Sequence, residues 1–439
     1  MASRARNPSA WAGNHEFLIT RVESSGRGGS RGTSMLSRLL QSTRKHWKNY
    51  AVGFVTLLAL VWFLSKSSYR REQGSRKALF IKSEAASCPV SYPKLSIKEI
   101  SKGSLPYLYG GKPPGCKNCK SNDLVGKFCQ YGMTGHGQCD KGQIYYLVQQ
   151  FLDREFYEIL QFTPCDLWPL LKGRTLYFSG DSQTQDFMKA AQCAMYEFTD
   201  LGWWELDATG ANPGPRQEGF VWHTDPGCIL LPEDTRICFI RCDTADCVQK
   251  QVVERLSKAS EKRDLLVLNF GLHFSKTYKE ELEQLVQQVL QLRREGNFPF
   301  LLWKDTAPQH FESTFGEYPQ DKPKPPMKCV AVGKQFEPDP GEDKWILKKD
   351  HSIEVLYKDF EDIAAGGWRN KLTNEVMSQA GIPVVSTWND TLPLWEFHRD
   401  NGHGLECTHF CHPSAPQLWV YRLYETLAQL RREKQIETF

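Results

Sequence analysis

The stretch Thr175-Leu-Tyr-Phe-Ser-Gly-Asp-Ser182 decides the fold predicted for this chain. Its apolar run, Leu176-Tyr-Phe178, is typical of a buried strand, and a helix-like segment follows Gly180-Asp-Ser182. A serine at such a strand-to-helix turn exposes its hydroxyl at the sheet edge and places its N–H at a helix N-terminus. A nucleophile with its own oxyanion donor needs that placement. Gly-Asp-Ser is also a common turn and N-cap sequence, so the interpretation depends on whether the chain supplies a base.

Short apolar runs elsewhere in the chain predict further strands that are covered on both faces of a sheet. Helical periodicity lies between these runs and is strongest in Thr277–Glu295, with a last helix at Ser414–Arg431. The alternation predicts an α/β fold with a doubly wound, flavodoxin-like parallel sheet, which we assign to residues 151–435. Pro319–Lys344 is rich in Pro, Lys and Asp and is predicted to be a surface insertion. The predicted strands are Arg174–Phe178, Leu265–Phe270, Phe298–Trp303 and Pro383–Thr387.

The N-terminal region differs in charge from the rest of the chain. Residues 1–49 hold nine Lys or Arg against two acidic residues, a net +7, whereas the whole chain carries +4, so the remainder carries −3. This distribution argues against nucleic acid as the partner of the folded part. Residues 1–49 are predicted to be a disordered, basic cytosolic tail. Residues 50–65 contain no charged side chain and are predicted to form a transmembrane helix, followed by a stem at residues 66–87.

The cysteines indicate the compartment of the folded part. All fourteen lie beyond residue 87, and residues 88–150 form a cysteine-rich segment. We favour disulfides in an oxidising lumen, which makes the chain a single-pass type II membrane protein. The alternative is zinc binding, because Cys116-Lys-Asn-Cys119 has zinc-knuckle spacing and is followed by Cys129 and Cys139. Asn389-Asp-Thr391 is a glycosylation sequon on the same side of the predicted span.

Polar residues follow the other predicted strands and precede the last helix. They occur in Asn269-Phe-Gly271-Leu-His273, in Trp303-Lys-Asp305-Thr306-Ala-Pro308-Gln-His310, and in the loop Glu406-Cys-Thr-His409-Phe-Cys411-His412-Pro413. Sites in parallel sheets form at the carboxyl ends of the strands. Each segment also has an ordinary structural interpretation, as a turn, a core histidine or a solvated loop.

Together these residues supply the groups that acyl transfer needs. Ser182 is the candidate nucleophile, His409 the base and Glu406 the acid that orients the imidazole. The Ser182 N–H and the Asn269 side chain are the candidate oxyanion donors. No set of metal ligands is assigned to the site. The candidate substrate-binding residues are Asp181, Gly271, His273 and His310.

The set of motifs resembles the SGNH (GDSL-type) hydrolase superfamily, and within it the membrane-anchored PC-esterase or trichome-birefringence-like branch. That branch carries Gly-Asp-Ser near its start and Asp-x-x-His, followed by an aromatic residue and Cys-x-Pro, at its end. Gly180-Asp-Ser182 and Glu406-Cys-Thr-His409-Phe-Cys-His-Pro413 occupy those places. Phe162-Thr-Pro-Cys165-Asp-Leu-Trp168, Cys193 and Trp303…Pro308-Gln-His310-Phe also resemble family segments. The resemblance covers about residues 160–430.

The resemblance implies a Golgi enzyme that transfers an acetyl group to a glycan or polysaccharide. It implies no tightly bound cofactor, and an acyl donor such as acetyl-CoA fits the reaction. The chain departs from the family in having Glu406 in place of Asp and Gln183-Thr-Gln185 in place of Leu-x-Arg. It also lacks the Trp-Arg-Trp-x-Pro segment of the plant polysaccharide acetyltransferases, so the family chemistry transfers more safely than a plant substrate.

Other activities are compatible with parts of this sequence. An acetylesterase would use the same triad with water as the acceptor. A glycosyltransferase shares the tail, span and stem, but such enzymes commonly use Asp-x-Asp, which does not occur in this chain. A non-catalytic glycan-binding domain could retain the fold. Three tryptophans, Trp203, Trp204 and Trp388, are candidate sugar-stacking surfaces, although large aromatic side chains more often belong to the core. Two glycines, Gly202 and Gly210, are candidate oxyanion donors.

Overall fold

The computed structural model describes the folded part of the chain with several internal gaps. The predicted tail, transmembrane helix and stem lie outside these residues. No helix among the described residues is long and apolar enough to cross a membrane. The described residues are 88–116, 129, 137–199, 204–205, 227–273, 278–313, 316–318, 327–332, 344–349, 351–356, 364–400 and 405–436.

A seven-stranded, mostly parallel sheet forms the centre of the described residues. Two antiparallel pairs, β7–β8 and β10–β11, lie outside it. The strands are β1 (Thr175–Gly180), β2 (Trp204–Glu205), β3 (Gly227–Leu231), β4 (Thr235–Arg241), β5 (Leu265–Asn269), β6 (Phe300–Lys304), β7 (Lys344–Lys349), β8 (His351–Leu356), β9 (Val384–Val385), β10 (His398–Asp400) and β11 (Leu405–Phe410).

The strand order confirms the predicted sheet type. Across the central sheet the order is β2-β3-β4-β1-β5-β6-β9, and the last five strands in this list are parallel. Numbered in chain order, these five parallel strands run 2-1-3-4-5, the flavodoxin-like order. The order reverses between β1 and β5. Doubly wound sheets bind ligands at this switch point, outside the carboxyl ends of the strands.

The four predicted strands are present, with ends that differ by at most two residues from the prediction. The sequence analysis did not predict the hairpin of β3 and β4, which adds β3 antiparallel to the parallel strands. It also placed Glu406 and His409 in a loop, whereas both lie on β11, paired with β10. β11 forms because it pairs with β10, whereas the short sequence of β11 itself carries little strand signal.

Helices cover both faces of the sheet, as a doubly wound fold requires. The predicted helix at Thr277–Glu295 is described from Tyr278, and the last helix begins and ends one residue later than predicted. The helices are α1 (Ile97–Ser101), α2 (Lys141–Asp153), α3 (Tyr157–Leu160), α4 (Pro164–Leu171), α5 (Ser182–Ala194), α6 (Ala245–Cys247), α7 (Glu254–Ala259), α8 (Tyr278–Glu295), α9 (Gly367–Gln379), α10 (Trp388–Thr391) and α11 (Ala415–Arg432). A π-helical turn, Val248–Val253, joins α6 to α7.

Alternate residues of the buried strands face two separate cores. On β5, Leu265 and Val267 pack into the core that contains α2, α4, α5 and α11. Leu266 and Leu268 pack into the opposite core with α8. Burial on both faces explains why these strands are continuous apolar runs rather than alternating patterns. The sheet is therefore held rigidly, and its carboxyl edge can carry a site of fixed geometry.

Six disulfides within the described residues confirm the disulfide prediction. The zinc alternative is wrong for Cys129 and Cys139, because each is bonded to a distant cysteine instead of sharing a metal. The bonds are Cys88–Cys165, Cys129–Cys193, Cys139–Cys411, Cys228–Cys238, Cys242–Cys247 and Cys329–Cys407. The first three tie the N-terminal cysteine-rich segment to the α/β part. Much of the predicted insertion at Pro319–Lys344 lies outside the described residues.

Candidate active site

Ser182 is the first residue of α5, directly after the turn that ends β1. Gly180 makes this turn with a φ of +152°, and a Cβ atom there would lie 1.7 Å from the Asn269 carbonyl oxygen. Only glycine fits so close to a neighbouring strand. The turn therefore brings Ser182 to the edge of the sheet, between β1 and β5, where its side chain is half-buried.

Asp181 caps α5 and does not line the site as a substrate-binding residue. It is fully buried, and its Oδ1 accepts hydrogen bonds from the amides of Gln183 at 3.0 Å and Thr184 at 3.2 Å. Its Oδ2 accepts from the amide of Leu272 at 3.3 Å. These contacts do not support the predicted substrate role, because both oxygens accept hydrogen bonds from backbone amides. The cap uses the second and third amides of the helix, not the amide of Ser182.

The structure brings the three predicted catalytic side chains into one hydrogen-bonded row. His409 Nε2 lies 2.5 Å from Ser182 Oγ, and His409 Nδ1 contacts Glu406 Oε2. A carboxylate can only accept, so Nδ1 carries the imidazole proton and Nε2 presents its lone pair to the serine hydroxyl. In this tautomer the imidazole can take the proton of Ser182.

Disulfides hold β11 on both sides of His409. Cys407 is bonded to Cys329, and Cys411 is bonded to Cys139. Both cysteines therefore brace the Glu406–His409 segment through partners far away in the chain. Because His409 is tied at both ends, its ring approaches Ser182 from a segment with little freedom to move.

The charge state of Glu406 suits an acid that orients the histidine. Burial acts to raise its pKa, but the hydrogen bond and charge of His409 and the charge of Arg399 outweigh burial, so the pKa lies below its usual range. The amide of Thr408 also donates to Glu406 Oε1 at 3.1 Å. Glu406 is therefore ionised near neutral pH. Its longer side chain, compared with Asp, still reaches His409.

Gln183, the residue after the serine, joins the two halves of the site: the Ser182 half on α5 and the His409 half on β11. Its side-chain Nε2 donates to the Thr408 carbonyl at 3.1 Å, and its Oε1 accepts from the Ala307 amide at 3.1 Å. Thr408 is the neighbour of His409. Gln183 thus links the helix of the serine to the strand of the histidine. The family that the sequence resembles has Leu at this position.

The contacts of Asn269 do not support its predicted oxyanion role. Its side chain is 1% exposed, and its Nδ2 donates to the Lys304 carbonyl at 2.7 Å and to Thr306 Oγ1 at 3.1 Å. Its Oδ1 accepts from the Gly271 amide. Both amide hydrogens are therefore committed to the neighbouring strand, so Asn269 fixes the edge of the sheet.

The other candidate substrate-binding residues have different environments. Gly271 is buried, and a Cβ atom there would lie 2.0 Å from Thr306 Oγ1, so it permits close packing. His273 is exposed in the turn after β5. His310 is fully buried, and burial lowers its pKa to about 4. The burial of His310 does not support its predicted substrate role.

His310 belongs to a buried histidine pair behind β11. Its Nδ1 lies 2.7 Å from His398 Nε2, and its Nε2 lies 2.9 Å from the Leu392 carbonyl. His398 Nδ1 lies 2.9 Å from the carbonyl of His409. Only an imidazole N–H can donate to these two carbonyls, so the pair fixes the backbone that carries the candidate base.

A second charged group lies one helical turn beyond Ser182 and was missed by the sequence analysis. Asp186 is buried on α5, 3.2 Å from Lys189 Nζ and 3.6 Å from Arg399 Nη1. Burial alone would raise its pKa, but the charge of Lys189, the nearby His412 ring at 3.9 Å and the charge of Arg399 hold the pKa well below its usual range. These residues belong to no local motif, so only the packing of α5 against β10 and β11 could reveal the cluster.

The remaining predicted site residues are partly described. Trp388 is buried on α10 and is therefore core, not a sugar-stacking surface. Trp203, Gly202 and Gly210 lie outside the described residues, and nothing is described of the Trp204 side chain. Asn389 is exposed on α10, so its glycosylation remains a prediction.

Comparisons with known proteins give little beyond this geometry. No protein-family model matches the chain, and no curated protein is significantly similar to it. Among solved structures it is similar to a mutant of an acetyl-xylooligosaccharide esterase from Geobacillus Stearmophilus, with 12% sequence identity and a TM-score of 0.28. The similarity covers 60% of this chain and 95% of the esterase. At this level it assigns neither fold nor activity, and the proposal below depends on the site itself.

Proposed function

We propose that this protein is a serine-dependent acyl-transfer enzyme that acts on glycan hydroxyl groups. Ser182 is the nucleophile, His409 the general base and Glu406 the acid that orients the base. One observation carries the proposal: the imidazole of His409 contacts Ser182 Oγ through Nε2 and Glu406 through Nδ1. This is the order of groups that proton transfer from a serine nucleophile requires.

The reaction proceeds in two displacements. His409 Nε2 removes the proton of Ser182 while Oγ attacks the carbonyl carbon of an acetyl donor, and the Ser182 N–H at the start of α5 donates to the oxyanion. The imidazolium then protonates the leaving group, which leaves an acetyl-serine. In the second step His409 takes the proton of a sugar hydroxyl, whose oxygen attacks the acetyl carbon, and the imidazolium returns a proton to Ser182 Oγ as the bond between the acetyl group and Oγ breaks. Glu406 stabilises the imidazolium in both steps.

The substrate class follows from the resemblance to the PC-esterase branch of the SGNH superfamily. On that basis the acceptor is a glycan or polysaccharide, acetyl-CoA is a suitable donor, and the protein is an O-acetyltransferase of the Golgi membrane anchored through residues 50–65. The disulfides support an oxidising compartment for the folded part. Their number within the described residues fits a lumenal catalytic domain better than a cytosolic one.

Labelling with a fluorophosphonate probe tests the nucleophile. The purified protein should form one covalent adduct at Ser182, and Ser182→Ala should lose both the adduct and at least about 10³-fold of the acyl-transfer rate. Ser96→Ala is a matched control, because Ser96 also stands at a helix N-terminus and contacts a glutamate, Glu99. Unchanged turnover in Ser182→Ala would rule out the proposed chemistry, whereas a wild-type protein with neither adduct nor turnover would favour a glycan-binding domain.

A carbohydrate acetylesterase is the second candidate, since the same row of residues serves when water is the acceptor. An acetyl donor labelled in its acetyl group, incubated with oligosaccharides, separates the two. Label recovered on the sugar supports the transferase. Free labelled acetate, together with deacetylation of acetylated oligosaccharides, supports the esterase.

A further inference from the structure

A partly exposed arginine lies between the acid of the candidate triad and the helix of the nucleophile. Arg399 is on β10, the strand paired with β11. Its Nε lies 3.5 Å from Glu406 Oε2, and its Nη1 lies 3.6 Å from Asp186 Oδ2. Glu406 Oε2 is the same oxygen that contacts His409. One guanidinium therefore contacts carboxylates from both halves of the site.

We infer that Arg399 is a positioning residue that keeps Glu406 ionised and directed at His409 while it ties β10 to the helix that carries Ser182. This inference rests on the proposed function. The side chain of Arg399 is 28% exposed, whereas those of Glu406 and Asp186 are 17% and 4% exposed. The planar guanidinium can contact two carboxylates at once, and it stays charged throughout the accessible pH range.

The remaining charges around Arg399 make the arrangement specific. Asp186 is already paired with Lys189 on its own helix and has His412 at 3.9 Å, so it does not need Arg399 for neutralisation. Among the described residues, the basic side chains within ion-pair distance of Glu406 are Arg399 and His409, and His409 is the residue that must accept a proton during the reaction. A permanent charge beside Glu406 keeps the carboxylate ionised whether or not His409 is protonated. The groups that face this cluster are Glu406 and His409 on β11, His398 on β10, Asp186 and Lys189 on α5, and His412.

The arrangement also accounts for the departure from the family acid. A glutamate has one more rotatable bond than an aspartate, so its carboxylate has more ways to turn away from the histidine. Contacts of Glu406 with Arg399 and with the Thr408 amide limit that freedom from two directions. Arg399 thus keeps the carboxylate of Glu406 directed at His409, a geometry that the shorter side chain of an aspartate adopts more readily.

The test compares Arg399→Gln and Arg399→Lys with the wild-type full-length protein over a range of pH. The acid limb of kcat/KM reports protonation of the Glu406–His409 pair. In Arg399→Gln this limb should move to higher pH by about one unit. This is the lower end of the pKa shift that an opposite charge causes at this distance, and we expect the lower end because Arg399 is partly exposed to solvent. In Arg399→Lys it should stay within about 0.3 units of the wild type.

Arg422→Gln is the matched control for the loss of an arginine. Arg422 is 25% exposed on α11 and also contacts two carboxylates, Asp390 and Glu425. This variant should leave the acid limb in place. If the limb of Arg399→Gln does not move, or moves as far in Arg422→Gln, Arg399 contributes to stability alone and the inference is overturned.

A measurement that needs no catalytic turnover tests the role of Arg399 independently of the proposed function. In the Ser182→Ala background, the pH at which the Glu406–His409 pair takes up a proton can be followed by NMR of the imidazole. Adding Arg399→Gln should move that midpoint in the same direction as the acid limb. A midpoint that moves in an inactive protein supports Arg399 even if Ser182 is not a nucleophile, and an unmoved midpoint overturns the inference.

Discussion

The two halves of the candidate site are held in place by different means. Ser182 is positioned by backbone: a glycine turn, the Asp181 cap and the hydrogen-bonded carboxyl ends of β1 and β5. His409 is positioned by contacts between distant parts of the chain, namely two disulfides, the β10 strand and the buried histidine pair. The turn of the first half has its sequence signal within Thr175–Ser182, whereas the second half depends on contacts from distant parts of the folded chain.

The acid of the His409 half should be the residue most sensitive to change. Glu406→Gln keeps the shape of the side chain but removes the charge that stabilises the imidazolium, so kcat should fall by about 10²–10⁴-fold with little loss of folding. Glu406→Asp should retain more activity than Glu406→Gln. Steady-state kinetics and circular dichroism check both variants, and equal kcat in Glu406→Gln and the wild type would remove the acid from the mechanism.

Removing a disulfide should damage the His409 half more than the sheet. The double variant Cys139→Ser with Cys411→Ser opens a loop of 272 residues, and the free energy of unfolding should fall by up to about 5 kcal/mol, with a loss of kcat. The control is Cys228→Ser with Cys238→Ser, whose loop spans 10 residues between β3 and β4 and should contribute about 3 kcal/mol without affecting kcat.

Denaturant unfolding and kinetics at a temperature where all variants are folded distinguish the two effects. If both double variants lose kcat equally, the cross-link beside His409 has no particular role in the site.

The Ser182 half should respond to loss of its helix cap. Asp181→Ala leaves two helix amides and the Leu272 amide without a partner, so the free energy of unfolding should fall by about 1–2 kcal/mol, and kcat should fall as the turn shifts. Asp140→Ala removes a comparable cap from α2. Thermal unfolding should show a similar loss of stability for both, with kcat reduced only in Asp181→Ala.

The smallest effect is expected at Lys304, a buried amine beneath the Ser182 half. Its carbonyl accepts from Asn269, and its Nζ lies 4.1 Å from the centre of the Trp419 ring. Lys304→Met should leave the free energy of unfolding at pH 7 unchanged or about 1 kcal/mol higher, because the buried charge no longer has to be desolvated.

The pH dependence of the free energy of unfolding should reveal the cost of burying the Lys304 charge. Burial lowers the pKa of Lys304 to about 8, below the ~10.4 of an unfolded lysine. The unfolded state therefore binds more protons between about pH 8 and 10, so the free energy of unfolding should rise with pH in that window. Denaturant unfolding at several pH values should show this rise in the wild type, and a rise of equal size in Lys304→Met would contradict it.

The sequence by itself determined the class of the sheet and the position of the candidate nucleophile. Buried parallel strands need continuous apolar runs, and the Gly180 turn needs a residue without a Cβ atom, so both leave local signals. Glu406 and His409 could be selected because their spacing and the adjacent cysteines are also local features.

Only the tertiary structure decided how the surrounding residues are used. Asn269, Asp181 and His310 had the right chemistry for a site, but each is buried with its polar atoms bonded to backbone or to another buried side chain. Arg399 and Asp186 belong to no motif, yet β10 and α5 bring them to the acid and to the serine helix. The physical reason is that a residue type specifies which bonds a side chain can make, whereas packing determines which partners are within reach.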